Sequence, residues 1–88
     1  MFEKIYEVMY YKGFELLDTD LFTDLDLAII CFMEHKREAL IFEFRLKEGQ
    51  LLPNPVIEKD SGGTYDYWGE KGGYAYEKVM ERLENDPK

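Results

Sequence analysis

Eighty-eight residues suffice for one small domain, and the chain reads as a single unit over 1–88. A hydrophobic content of 45% excludes the disordered class, which is poor in apolar residues. Nineteen acidic against eleven basic residues give a net charge of −8, a field that disfavours direct nucleic-acid or anionic-membrane binding and suits a basic protein partner.

Residues 2–12 carry apolar Phe2, Ile5, Tyr6 and Met9 at i, i+3, i+4 and i+7, which predicts an N-terminal helix closed by Lys12 and a left-handed Gly13. Phe14–Leu17 is then extended, and the acidic run Asp18–Asp26 reads as strand, turn and strand entry, because aspartate competes with the helical backbone for hydrogen bonds. Helix from Thr23 onward, capped by Thr23 or Asp24, is the alternative over 23–36. Residues 27–33 are apolar throughout, as a strand covered on both faces would be. Residues 39–47 alternate: Leu40, Phe42, Phe44 and Leu46 point one way, and Ile41, Glu43, Arg45 and Lys47 the other. The two form a central hairpin through the charged loop Glu34-His-Lys-Arg-Glu38, with His35 as a solvated turn residue.

Gly49-Gln50 marks a turn, Leu51-Leu52 a short edge, Pro53-Asn-Pro55 a break and Val56-Ile57 a last short strand. A C-terminal helix is expected from about Tyr74, with Tyr76, Val79, Met80 and Leu83 as its apolar face, ending at Asn85-Asp-Pro-Lys88. The expected fold class is α+β: N-terminal helix, antiparallel sheet of three to four strands, C-terminal helix, both helices on one sheet face.

The lone Cys31 excludes an internal disulfide and reads as a structural thiol. The opening Met-Phe-Glu-Lys has no basic n-region or apolar h-region, and no run is long enough to span a bilayer, so a cytoplasmic location is the expectation.

Segment 60–76 holds five of fourteen aromatics and five of seven glycines. Neither Gly62-Gly63 nor Gly72-Gly73 is followed by Lys-Ser/Thr, and Asp60, Asp66 and Glu70 would repel phosphate, so no nucleotide site is expected. Base stacking needs a positive groove that this loop lacks. What remains is an aromatic contact surface for protein or a loop folded back on the sheet, and the two stay open. In the acidic run, Asp18 with Asp20 and Asp24 with Asp26 would lie on one strand face about 6.6–6.8 Å apart, a spacing able to imitate phosphates. They lack EF-hand spacing and carry no zinc ligands, so no metal or cofactor is assigned.

One further layout resembles divalent-metal nucleases of the restriction-enzyme type: an Asp before an apolar strand (Asp26 or Asp24), then Glu43-x-Arg45 where those enzymes place an acidic-x-Lys pair, with Glu7 on the first helix as an extra ligand. Arg45 in place of Lys cannot give up its proton, and no basic stripe offsets the acidic field. The leading reading is a small acidic module that inhibits or regulates a larger basic protein, such as a nucleic-acid-binding one, by occupying its site. Its binding residues would be Tyr65, Asp66, Tyr67, Trp68, Glu70 and Tyr74, with Asp18, Asp20, Asp24 and Asp26 steering approach. The alternatives are the nuclease (Asp26, Glu43, Arg45) and a structural homodimer.

Overall fold

The computed structural model describes residues 4–35 and 38–85, apart from the side chains of residues 46, 47 and 52. Phe2, Lys36, Arg37, the orientations of Leu46 and Lys47, and residues 86–88 therefore lie outside the comparison with the expectations above. In chain order the elements are β1 (Lys4–Lys12), β2 (Glu15–Phe22), α1 (Leu25–Glu34), β3 (Glu38–Lys47), β4 (Gln50–Lys59), β5 (Tyr65–Tyr67) and α2 (Gly69–Asn85). The five strands form one antiparallel sheet in the order β2-β1-β3-β4-β5. The α+β class holds, with the helices central and C-terminal rather than at the two ends.

The expected N-terminal helix is the strand β1. Tyr6, Val8 and Tyr10 are buried while Ile5, Glu7, Met9 and Tyr11 are half-buried, a period of two. Apolar residues occupy both faces, so a helical spacing can be picked out of a chain that is extended. Aromatic and β-branched side chains also favour this pleated, central position. Gly13 is left-handed (φ 64°), as expected, but in the β1–β2 turn rather than beyond a helix.

The expected strand 27–33 is α1, and no 27–33/39–47 hairpin exists. Asp24 caps the helix, its carboxylate accepting from the Asp26 amide at 2.9 Å, which is the capped alternative from the sequence. Ala28, Ile29 and Phe32 face the core and Leu27 faces solvent. The hairpins are β1–β2 and β3–β4. The latter turns on Glu48 (φ 52°) and Gly49 (φ 80°), the two positive φ values that a two-residue turn between twisted strands requires.

β4 runs through Pro53 and Pro55 without a break. Only Ile57–Lys59 of β4 pair with β5, so the proline segment has a free edge on which missing amides cost no ladder bonds. α2 begins at Gly69, five residues before the expected start, and buries Gly72, Ala75 and Val79. Gly72 is required: an added Cβ would lie 2.5 Å from the Val56 carbonyl oxygen and 3.2 Å from Tyr67. That close approach seats the first turn of α2 on β4 and β5.

Both helices cover the same sheet face. Their buried residues join Tyr6, Val8, Tyr10, Ala39, Ile41, Val56 and Ile57 in one core. Among the described residues no helix is long and apolar enough to cross a membrane.

Candidate functional site

The opposite face of the sheet carries no helix. Alternation and strand register place Ile5, Met9 and Tyr11 of β1 beside Phe44, Leu40 and Glu38 of β3, and Glu7 beside Phe42. Leu16, Thr19 and Leu21 extend the face along β2, and Pro53 and Pro55 extend it along β4 opposite Phe44 and Phe42. The Phe42 and Phe44 rings lie 6.3 Å apart. Glu58 and Asp66 pair beside Leu40, so the charged groups of this face are Glu7, Glu38, Glu58 and Asp66. Among the described side chains it holds no base. Lys4, Arg45 and Lys59 all point to the helix side. The result is an apolar patch around Phe42 and Phe44 whose described charged groups are all carboxylates, on a face that no helix covers.

The sequence-derived binding residues are divided rather than gathered. Asp18 and Asp20 do share one face of β2, opposite Tyr10 and Val8 on the helix side. Asp20 is engaged: it accepts from the Tyr10 hydroxyl at 3.0 Å and from Cys31 Sγ at 3.6 Å. The Tyr10 oxygen lies 2.5 Å from Cys31 Sγ. Burial, with Asp20 adding to it, raises the Cys31 thiol above its ordinary value and outweighs the lowering by Tyr10, so the protonated, unreactive form is favoured. Asp24 and Asp26 are not a strand pair. Asp24 caps α1, and Asp26 accepts from the Tyr74 hydroxyl at 2.6 Å, tying α2 to α1. That carboxylate raises the Tyr74 phenol.

The aromatic segment is divided between packing and exposure. Tyr65 joins the core, 6.1 Å from the Phe32 ring, whereas Tyr67 stacks on Tyr76 at 4.6 Å and stays half-exposed with Trp68. Asp66 points to the open face and Glu70 lies exposed in the first turn of α2. Tyr67, Trp68 and Glu70 thus sit at the β5 edge, the far end of the sheet from Asp18 and Asp20 on β2.

A second constellation lies on the helix side. Glu43, 3% exposed, accepts from Tyr6 Oη at 3.2 Å and Arg45 Nε at 2.7 Å, and is bridged by Lys71 Nζ. Lys71 also donates to Tyr6 Oη at 3.2 Å. Burial alone would raise the Glu43 carboxyl, but Lys71 and Arg45 outweigh it and hold the group below its ordinary range. The nuclease layout does not form: Asp26 opens a helix instead of preceding a strand, Glu7 faces the opposite side of the sheet from Glu43, and both Glu43 oxygens are engaged. Among the described residues no three His, Cys, Asp or Glu side chains group as metal ligands.

Glu43 and Arg45 share a strand face and could be paired from the sequence. Tyr6 and Lys71 lie 37 and 28 residues from Glu43, and nothing local announces them. The open face likewise depends on which sheet side the helices take.

The fold and its surfaces define a class, a helix-covered antiparallel sheet with one uncovered apolar face. The chain matches no protein-family model, no curated protein and no solved structure.

Proposed function

We propose that this chain is a small acidic protein-binding module that seats on a larger basic protein and regulates it by covering the surface it occupies. The open sheet face supports the reading, because its apolar centre and wholly acidic charge set match a partner surface with apolar residues and a basic rim. Two copies of this chain joined face to face would instead bring carboxylates against carboxylates. The charge pattern therefore favours an unlike partner over a homodimer. The anchors move accordingly, from Tyr67 and Trp68 at the β5 edge to Phe42, Phe44, Leu40 and Met9 on the open face. Buried aromatics supply affinity at such a surface, and the carboxylates supply orientation and on-rate.

The test is affinity purification, identification of the bound protein, and titration of the purified pair. Phe42→Ser should weaken binding about tenfold or more while leaving the circular dichroism spectrum unchanged. Tyr67→Ala with Trp68→Ala should change it little. Undiminished binding by Phe42→Ser would overturn the assignment of the face.

A further inference from the structure

Three cations meet one carboxylate where the start of α2 crosses the sheet. Strand register sets Lys4 directly beside Arg45, and Tyr6 beside Glu43, all on the helix side. Like charges opposite one another in a sheet destabilise it unless an anion lies between them. Glu43 meets part of that need, binding Arg45 and Lys71. Lys71, with the nearby Arg45, pushes the Lys4 ammonium below its ordinary value. In a chain of net charge −8, these three cations exceed the two neighbouring carboxylates, Glu43 and Glu70, by one.

The surplus borders a cleft of about 440 Å³, a size suited to a small ligand. Arg45, Lys71 and Asn54 provide its polar wall and Trp68 its aromatic wall. The frame is rigid. The Trp68 amide donates to the Val56 carbonyl at 3.1 Å, and Gly72 lets α2 press against β4, which holds Lys71 over Glu43. Glu43 is thus a positioning residue that aligns two cations without neutralising the third. Arg45 is half-exposed, lines the cleft and engages Glu43 through Nε, so its bond to Glu43 does not use its terminal nitrogens. Glu70 also lines the cleft and opposes an anion, so the charged group must sit on the Arg45 and Lys71 side.

We propose that this cleft binds a small ring-bearing anion, its carboxylate or phosphate seated at Arg45 and Lys71, with Lys4 beside Arg45 adding to the positive field, and its flat ring lying against Trp68. Arginine and lysine suit an oxyanion of either kind, and the indole offers a stacking surface to a planar ring.

Trp68 is the sole tryptophan, so its indole N–H gives a single unambiguous resonance in a ¹H–¹⁵N spectrum. Benzoate, AMP and inorganic phosphate are titrated separately into the full chain, with benzamide and adenosine as uncharged controls. The expected result is a saturable shift of that resonance with benzoate or AMP, and none with the controls. Saturation by benzoate or by AMP identifies carboxylate or phosphate as the preferred group. Lys4→Gln leaves Glu43 bridged by Arg45 and Lys71, and should weaken the bound anion about two- to fivefold with the fold intact. Arg45→Gln should do the same. No saturable shift with either ring-bearing anion overturns the proposal. So do equal affinities for charged and uncharged ligands, or binding unaltered in both variants. The cleft lies on the helix side of the sheet, so these variants leave the open face untouched and the two readings fail independently.

Discussion

Lys59 is almost enclosed under α1, its ammonium 5.1 Å above the Phe32 ring and donating to the His35 carbonyl. Those contacts offset part of the cost of burying a charge, but burial still holds the amine below its ordinary 10.5. Between the lowered value and 10.5 the unfolded chain binds more protons at this position than the folded one. Stability contributed here therefore rises with pH across that window. Lys59→Met removes the titration. The variant should be as stable as the parent or more so at neutral pH, by up to about 1–2 kcal/mol, since replacing buried charge with an apolar side chain is commonly neutral or favourable. Its advantage should shrink as the pH approaches 10. Urea unfolding of both proteins at several pH values measures the difference and cancels the titrations they share. A constant or widening gap would contradict the burial account.

The two glycines at the start of α2 separate helix propensity from packing. Alanine in a helix interior is favoured over glycine by about 1 kcal/mol. At Gly73 an added Cβ meets nothing within 4 Å, so Gly73→Ala should stabilise by up to about that amount. At Gly72 the Cβ would meet the Val56 carbonyl at 2.5 Å, and backbone cannot yield as a flexible side chain can. Gly72→Ala should cost about 1–3 kcal/mol net, as overpacking does. Thermal or urea unfolding of the pair checks it, and similar effects at both positions would remove the packing argument. The sequence displayed the Gly-Gly pair but not which member touches β4. β3 was readable because one of its faces is mixed: Glu43 and Arg45 break the apolar run and expose the period of two. β1 was not, because apolar residues occupy both sides and Ile5, Tyr6 and Met9 satisfy a helical stripe as well as a strand. In α1 the run Leu27–Met33 hides its period in the same way, and the distinguishing signal was the Asp24 cap rather than hydrophobicity. Pro53 and Pro55 read as a break because their tolerance depends on how short β5 is, a fact of strand pairing that no local rule reveals. Of the sites, the Glu43–Arg45 pair was visible in the strand alternation. The open face required knowing that both helices pack on the other side.

The uncovered face sets two associations in opposition, and ionic strength tells them apart. An apolar centre holding Phe42, Phe44, Leu40 and Met9 would favour contact between copies, while Glu7, Glu38, Glu58 and Asp66 oppose it by like-charge repulsion. Screening weakens that repulsion: the Debye length falls from about 30 Å at 0.01 M salt to about 3 Å at 1 M. Self-association should therefore be least at low salt and grow as salt is added, and Phe42→Ser should suppress it. Binding to a basic partner should respond in the reverse sense and weaken with salt, because there the same carboxylates attract. Glu7→Gln should strengthen the first and weaken the second, since one substitution lessens both the repulsion and the steering at the centre of the face. Sedimentation velocity across a salt series follows the first, and titration of the purified pair follows the second. A stable dimer at low salt, insensitive to Glu7→Gln, would show that a second copy tolerates the acidic ring. The face would then belong to the homodimer and not to a basic partner.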